Sequence, residues 1–138
     1  MSKGALYRDL RDRVRDMVRL MNERDYKEVS ERFSDDVIIV RPTGNPLTKK
    51  TWIGMLNSPD VDMKGTSLLE VNNVTLSDSG DMGYVCYTTH ANFVYKGVEN
   101  DDIAVFVVIF KKIDDDWKIS YMQRSSGRKP TDPMPKFN

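Results

Sequence analysis

Residues 66–126 read TSLLEVNNVTLSDSGDMGYVCYTTHANFVYKGVENDDIAVFVVIFKKIDDDWKISYMQRSS, and apolar side chains alternate with polar ones along much of this stretch. A period of two is typical of β-strands. Clusters of polar and turn-forming residues interrupt the stretch at positions 77–81, 96–100 and 114–116. The pattern therefore predicts four antiparallel strands that are joined by tight hairpins.

The interiors of these strands are apolar on both faces of the predicted sheet. Val85, Tyr87 and Phe93 lie in one strand, and residues 103–110 read IAVFVVIF in the next. A sheet with one solvated face needs apolar side chains at alternate positions only. We therefore expect helices to cover one face and a second copy of the chain to cover the other, which predicts a homodimer through the sheet.

The residues before the sheet predict helices. Apolar side chains recur at spacings of three and four between Leu6 and Met21, which indicates an amphipathic helix. Asp25 and Glu28 have the spacing of a capping box, in which each side chain bonds an early backbone amide of a helix. A second, shorter helix is therefore predicted from there to about Phe33.

One short strand and a third helix complete the pattern. Val37–Val40 is a β-branched run that Pro42 ends, because proline donates no hydrogen bond to a ladder. Helical spacing resumes from Trp52 to Leu56 and stops at residues 57–59. The order is ααβαββββ, which we interpret as an α+β fold: a cone-shaped barrel whose strongly curved antiparallel or mixed sheet wraps around the N-terminal helices.

Composition limits the classes of partner. Among the 138 residues, 21 basic and 21 acidic side chains cancel, so there is no single-sign field to hold a nucleic acid or an anionic membrane. The apolar run 103–110 is far shorter than the roughly 20 residues that span a bilayer. We expect one domain over residues 1–126, a proline-rich tail over 127–138, a cytoplasmic location, and neither nucleic-acid nor membrane partners.

Cysteine and histidine are each represented once, by Cys86 and His90. This excludes an internal disulfide and a zinc site built from several thiolates or imidazoles. The sequence has no glycine-rich phosphate loop, paired-histidine zinc motif, nucleophile elbow or calcium loop. We therefore expect neither a metal nor another cofactor.

Two local features accompany the element order. Residues 33–37 read FSDDV and join the second helix to the first strand, and Trp117, Lys118 and Ile119 open the last strand. With these features the chain resembles the nuclear transport factor 2-like superfamily, in its SnoaL-like and ketosteroid isomerase-like branches, over about residues 6–126. The resemblance implies a pocket between the concave face of the sheet and the helices, and dimerisation through the sheet.

A narrower resemblance rests on the ends of two strands. Pro42, Gly44 and Asn45 follow the first strand, and the last strand continues from Trp117 into residues 124–127, which read RSSG. These features are similar to the association (hub) domain of calcium/calmodulin-dependent protein kinase II. The resemblance implies that subunits assemble.

In the kinase hub, three pocket arginines bind small carboxylates. His90, Val108 and Arg124 take their places in this chain, so one arginine is retained, and Arg41 could replace another. The resemblance implies a pocket for a small polar or carboxylate-bearing molecule, with Arg124 as the anion anchor. The candidate ligand-binding residues are Arg124, Tyr121, Gln123, His90, Arg41 and Trp52.

Catalysis would require an acid or base that faces the pocket. Residues 37–40, where ketosteroid isomerases carry their base, read VIIV, which argues against an isomerase or dehydratase of the usual kind. Histidine is the side chain that most often serves as a general acid or base, so His90 is the candidate catalytic residue. Residues 123–126 read QRSS where metal-independent carbonic anhydrases of the iota class have His-His-Ser-Ser.

Three hypotheses therefore stay open. The first is a dimeric or larger ligand-binding module that is not an enzyme. The second is a cofactor-free SnoaL-like enzyme that transfers a proton through His90, with carbonic anhydrase-like activity as a lesser variant. The third is a structural hub that assembles subunits without a ligand. The sequence leaves open which strand positions face inward, because a slip of one residue exchanges the two faces of a strand.

Overall fold

The long strands of the second half of the chain dominate the structure, a computed structural model that describes residues 2–133. The elements, in chain order, are α1 (Lys3–Glu23), α2 (Tyr26–Glu31), β1 (Phe33–Val40), β2 (Leu47–Thr48), α3 (Lys49–Leu56), β3 (Val61–Leu76), β4 (Met82–Tyr95), β5 (Val98–Ile113) and β6 (Asp116–Arg124). The predicted α+β class is confirmed.

The strands form one curved sheet in the order β2, β1, β6, β5, β4, β3. Neighbours run antiparallel except for β1 and β6, which run parallel, with Ile39 opposite Met122 and Val40 opposite Gln123. The sheet is mixed and stays open, because β2 and β3 lie at its two edges and do not pair with each other. The cone is thus an incomplete barrel whose hollow is filled in part by helices.

Element boundaries differ from the sequence-based prediction where polar residues mask the pattern. β1 begins at Phe33 rather than Val37, because a register irregularity between Phe33 and Ile38 accommodates Asp35 and Asp36. The two-residue strand β2 was not predicted, since two residues cannot show a period. Similarly, β3 begins at Val61 and contains three irregularities that interrupt its alternation.

Helix α1 closes the concave side of the sheet through one apolar face. Leu10 and Val14 are at most 1% exposed, and they join a core that includes Val85, Val108 and Phe110. Each such fully buried side chain contributes about 1.5–3 kcal/mol. Polar contacts to the last strand also anchor the helix.

Both ends of β6 are tied to the helices or to a neighbouring strand. The Trp117 indole Nε1 donates to Asp9 Oδ2 of α1 at 3.0 Å, and Arg13 Nη2 donates to Asp116 Oδ1 at 2.9 Å. Beyond Arg124 the chain continues beside β5, where the Arg128 amide donates to the Ile103 carbonyl at 2.9 Å. The predicted division after residue 126 stays a prediction, and residues 134–138 of the predicted tail lie outside the described residues.

The outer face of α1 is charged. Ion pairs at helical spacing link Arg15 to Asp12 and Arg19 to both Asp16 and Glu23. Between residues 2 and 133 no helix combines the length and the apolar character that crossing a membrane would need. The predicted cytoplasmic location stays a prediction.

Gly83 shows how closely α1 approaches the sheet. A Cβ at this position would lie 2.7 Å from the Thr75 carbonyl oxygen and 2.9 Å from Leu10 Cδ1. We expect Gly83→Ala to lower the free energy of unfolding by about 1–3 kcal/mol, because backbone atoms must shift to admit the methyl group. Urea denaturation monitored by circular dichroism measures this.

Gly54 provides the matched control. It lies in α3, and a Cβ there has no neighbour within 4 Å. Gly54→Ala is expected to raise stability by about 0.5–1 kcal/mol, because alanine is the better helix former. A Gly83→Ala protein as stable as the wild type would mean that helix and sheet do not approach this closely.

Candidate functional site

A cavity of about 430 Å³ lies between the concave face of the sheet and helices α1 and α3. This volume falls within the range of small-molecule binding sites. Most of its wall is apolar, and the apolar side chains that line it include Met17, Val18, Met21, Ile39, Trp52, Met55, Leu56, Met63, Phe93, Phe106 and Met122. The cavity therefore has the composition of a site for an organic molecule rather than for a hydrated ion.

Among residues 2–133, the charged side chains that line the cavity are Arg41, Arg124 and Asp102. Two guanidinium groups and one carboxylate leave a formal charge of one positive unit. The imbalance lies in a largely apolar enclosure, where charges interact more strongly than in water. The electrostatics of the cavity therefore favour an anion.

Asp102 balances much of the charge of Arg124. Arg124 Nη2 donates to Asp102 Oδ2 at 3.1 Å, and the two side chains are 23% and 20% exposed. Arg124 Nη1 also donates to the Ser125 carbonyl at 3.4 Å, and the guanidinium carbon lies 5.9 Å from the centroid of the Phe93 ring. Arg124 thus faces the cavity with its hydrogen-bonding capacity partly used.

Arg41 has far weaker partners. Its Nη1 donates to the Sδ atom of Met55 at 3.6 Å, and sulfur is a poor acceptor. Its Nε is buried and has no hydrogen-bond partner among residues 2–133. Leaving a charged donor buried and unpaired is unfavourable, so the Arg41 guanidinium gains by donating to a ligand oxygen.

The pairing of β1 with β6 explains why the two arginines share the cavity. Val40 lies opposite Gln123. The residue that follows each of them is an arginine: Arg41 follows Val40, and Arg124 follows Gln123. Because side chains alternate, Ile39 and Met122 face inward and so do the residues two positions further on. The two arginines are 83 positions apart in the sequence. The pairing of β1 with β6 brings them to neighbouring strand ends.

Hydroxyl groups of β4 line the same cavity. Tyr87 and Thr89 are 3% and 4% exposed and belong to the wall. Burial raises the pKa of the Tyr87 hydroxyl, so this group stays protonated and able to donate. The Tyr87 ring stacks on Phe106 with a centroid distance of 5.1 Å. Neither Tyr87 nor Thr89 was predicted as a site residue, and Tyr87 was named only as an apolar position of its strand.

The structure brings together three of the predicted site residues and separates three others from them. Arg124, Arg41 and Trp52 line the cavity, whereas His90, Tyr121 and Gln123 do not. The prediction that His90, Tyr121 and Gln123 face the cavity is therefore corrected. On β4 the odd-numbered positions from Tyr87 to Tyr95 line the cavity, so the even-numbered His90 projects from the convex face.

On the convex face, these three residues have partners of their own. His90 Nε2 shares a short hydrogen bond with an Asp101 carboxylate oxygen. The Tyr121 hydroxyl donates to Gln123 Oε1 at 2.7 Å. Inside the cavity, the acidic group is Asp102, which Arg124 engages. Across residues 2–133, no three or more His, Cys, Asp or Glu side chains are grouped so that they could hold a metal ion.

A curved sheet packed on helices with a cavity between them defines the nuclear transport factor 2-like class. A solved protein of that class, of unknown function, from Prochlorococcus sp. NATL2A is 30% identical over 94% of this chain and 96% of that chain, with a TM-score of 0.75. A putative calcium/calmodulin-dependent kinase II association domain from Exiguobacterium sibiricum also gives 0.75, at 14% identity over 95% of this chain and 98% of that one. A ketosteroid isomerase-like protein from Erwinia carotovora atroseptica gives 0.63, at 19% identity over 83% and 89%.

The chain belongs to the family described as "Protein of unknown function (DUF3804)", whose model matches residues 19–133, within the NTF2-like proteins. The predicted resemblance to this superfamily is confirmed. No curated protein matches the sequence. The similarity to structures below 25% identity shows the fold alone. One fold supports many functions, so the side chains of the cavity determine the chemistry.

The Arg124–Asp102 pair should contribute measurably to stability. We expect a double-mutant cycle with Arg124→Ala and Asp102→Ala to give a coupling free energy of about 1–2 kcal/mol, because the pair is mostly shielded from water. The control cycle is Arg15→Ala with Asp12→Ala, whose side chains are 60% and 71% exposed. It should give less than about 0.5 kcal/mol. Equal coupling in the two cycles would contradict the proposed shielding of the cavity pair.

Proposed function

We propose that the protein is a ligand-binding module that holds a small organic carboxylate in the cavity, at the end that carries Arg41 and Arg124. Pairs of chains associate through the convex face of the sheet. The observation that carries the proposal is the Arg41 guanidinium, which lines an apolar cavity of net positive charge and has only the Met55 sulfur as a hydrogen-bond partner among residues 2–133. A carboxylate removed from water needs charge-assisted partners of this kind.

The cavity also supplies groups that would orient the ligand. The Tyr87 hydroxyl stays protonated, because burial raises its pKa, and it can donate to a ligand oxygen. Trp52 is 8% exposed, and its ring meets Phe33 edge to face at 5.3 Å, so it presents a fixed aromatic wall. These groups favour an organic anion over an inorganic one, because most of the wall could not hydrogen-bond to phosphate or sulfate.

The enzyme hypotheses receive less support from the geometry. His90 lies on the convex face, away from the cavity, and it is hydrogen-bonded to Asp101. Tyr121 and Gln123 share that face. The base that a SnoaL-like or carbonic anhydrase-like reaction would require inside the cavity would have to be Asp102, and this carboxylate already faces Arg124 at 3.1 Å.

The convex face supports association between copies. Ile38 lies opposite Tyr121, Tyr121 opposite Ile109, and Ile109 opposite Tyr84, which makes an apolar row across four strands. Ile38 and Tyr84 are 41% and 44% exposed. Exposed apolar patches of this kind mark interaction surfaces. The fold neighbours described as kinase association domains, one of them from C. elegans, are in keeping with an assembling role.

Two single variants test the sign of the cavity's electrostatics. Arg124→Gln lowers the net charge of the lining from one positive unit to zero, and Asp102→Asn raises it to two. We expect benzoate to bind Arg124→Gln more weakly and Asp102→Asn more tightly than the wild type, by at least roughly fivefold each, because two unit charges about 4 Å apart interact by about 1 kcal/mol even in bulk water. Ligand-dependent thermal shifts and calorimetric titration measure this.

Benzamide, which has the same shape without the charge, serves as the ligand control. Arg15→Gln on the outer face of α1 serves as the protein control, because Arg15 is 60% exposed and does not line the cavity. If the two cavity variants change benzoate binding in the same direction, the ion pair acts only structurally and the anion site is not there.

The proposed dimer makes a separate prediction. Val107 lies between Gln123 and Cys86 on the convex face and is 36% exposed. We expect Val107→Lys to convert a dimer into a monomer at micromolar concentration, because it places charges on both sides of an apolar contact. Sedimentation velocity reports the mass.

The control is the same substitution at Val98, at the tip of the β4–β5 hairpin, where the side chain is 63% exposed. Val98→Lys should remain dimeric. A wild-type protein that sediments as a monomer at this concentration would rule out association through the sheet.

A further inference from the structure

We infer that the ligand is an amphipathic monocarboxylate with a flexible hydrocarbon body, whose carboxylate binds Arg41 and whose body lies on a wall of methionines. The inference rests on the proposed function and narrows it to a class of molecule. Three properties of the ligand are inferred: which arginine binds its carboxylate, how many charges it carries, and what kind of apolar part it has.

The first part follows from the contacts of the two arginines. Arg124 has a carboxylate, a carbonyl oxygen and an aromatic ring as partners. Arg41 has the Met55 sulfur, and its buried Nε has no partner among residues 2–133. A ligand carboxylate gains more from the guanidinium whose donors are unused, because at Arg124 it has to compete with Asp102. Arg41 is therefore the anchor, and Arg124 contributes mainly through its charge.

The loop after β1 holds Arg41 in place. A Cβ at Gly44 would lie 2.9 Å from Arg41 Nη2, and Gly44 has a φ of +93°, which other residues rarely adopt. The guanidinium thus lies close to the backbone of this loop. Its contact with Met55 of α3 keeps it beside the cavity.

The second part follows from the charge of the lining. One positive unit remains after Asp102 is counted against the two arginines. A single carboxylate neutralises it. A second carboxylate would be buried without a cation of its own and would be repelled by Asp102, which is costly in an apolar enclosure. The site therefore selects monocarboxylates over dicarboxylates.

The third part follows from the methionines. Among residues 2–133, five methionines line the cavity, and they come from α1, α3, β3 and β6: Met17, Met21, Met55, Met63 and Met122. Methionine is unbranched and has three rotatable bonds, so it adapts to ligands of irregular or variable shape. A wall of this kind suits a flexible chain, whereas a rigid ligand is better served by branched and aromatic side chains.

The volume bounds the length of that chain. At the roughly 30 Å³ that a water molecule occupies in the liquid, a cavity of about 430 Å³ holds roughly fourteen non-hydrogen atoms. A saturated carboxylate of eight to ten carbons has ten to twelve such atoms and fits; acetate would leave most of the wall without contacts. Octanoate is therefore the probe of choice.

Isothermal titration calorimetry of the full chain with acetate, hexanoate, octanoate and decanoate tests the apolar part. Each added methylene group should tighten binding about fourfold, the factor that corresponds to its burial. Octanamide and the eight-carbon dicarboxylate suberate should each bind at least tenfold more weakly than octanoate. An affinity that does not change with chain length, or suberate binding as tightly as octanoate, would overturn the ligand class.

Variants then separate the arginines. Arg41→Gln should weaken octanoate binding at least tenfold and leave octanamide binding nearly unchanged. The paired change Arg124→Gln with Asp102→Asn removes two opposite charges together and should weaken octanoate binding less than Arg41→Gln does. Arg15→Gln is the inert control, and circular dichroism and the urea midpoint establish that each variant is folded.

The outcomes distinguish this inference from the function on which it rests. If the paired change abolishes octanoate binding and Arg41→Gln does not, Arg124 is the anchor and the inference is overturned, while the proposed carboxylate-binding function stands. If benzoate binds but no alkyl carboxylate does, the flexible-chain class alone is overturned. If no carboxylate of either kind binds, both the inference and the proposed function fail.

Discussion

The parallel pairing of β1 with β6 is the constraint on which both faces of the sheet depend. It places Ile39 opposite Met122, so the next inward positions of the two strands are Arg41 and Arg124. The same ladder places Ile38 opposite Tyr121 on the convex face. A shift of one residue would turn the arginines outward and the apolar row inward, because neighbouring side chains of a strand point to opposite faces. One set of hydrogen bonds thus defines the cavity and the proposed association surface together.

The polar end of the cavity is a compromise between stability and binding. Asp102 compensates Arg124, which would otherwise be an isolated charge in an apolar enclosure. Gly127 makes room for this carboxylate, since a Cβ at that position would lie 2.5 Å from Asp102 Cγ. Within residues 2–133, no acidic side chain of the lining compensates Arg41, and its Nε has no hydrogen-bond partner. Functional sites often retain such locally unfavourable groups, because the surrounding fold is stable enough to tolerate them.

Family membership and fold similarity contribute differently to these conclusions. The 30% identical Prochlorococcus protein and the family model that matches residues 19–133 establish the family, and both are described as being of unknown function. The kinase association domain and the isomerase-like protein, at 14% and 19% identity, share the architecture. Similarity at this level shows the fold alone, and the side chains that line the cavity decide its chemistry.

The sequence by itself determined the architecture. The alternation after Thr66, the spacing of apolar residues from Leu6 to Met21 and the turn clusters define nearly all helices and strands, because each depends on neighbours in the chain. It also named Arg124, Arg41 and Trp52 as candidate ligand-binding residues, and these three side chains line the cavity. The tertiary structure alone decided that His90, Tyr121 and Gln123 point away, that Asp102 compensates Arg124, and that five methionines meet in one wall. These relations join residues that are far apart in the chain, and strand parity is fixed by pairing across the sheet, which a one-dimensional pattern does not contain.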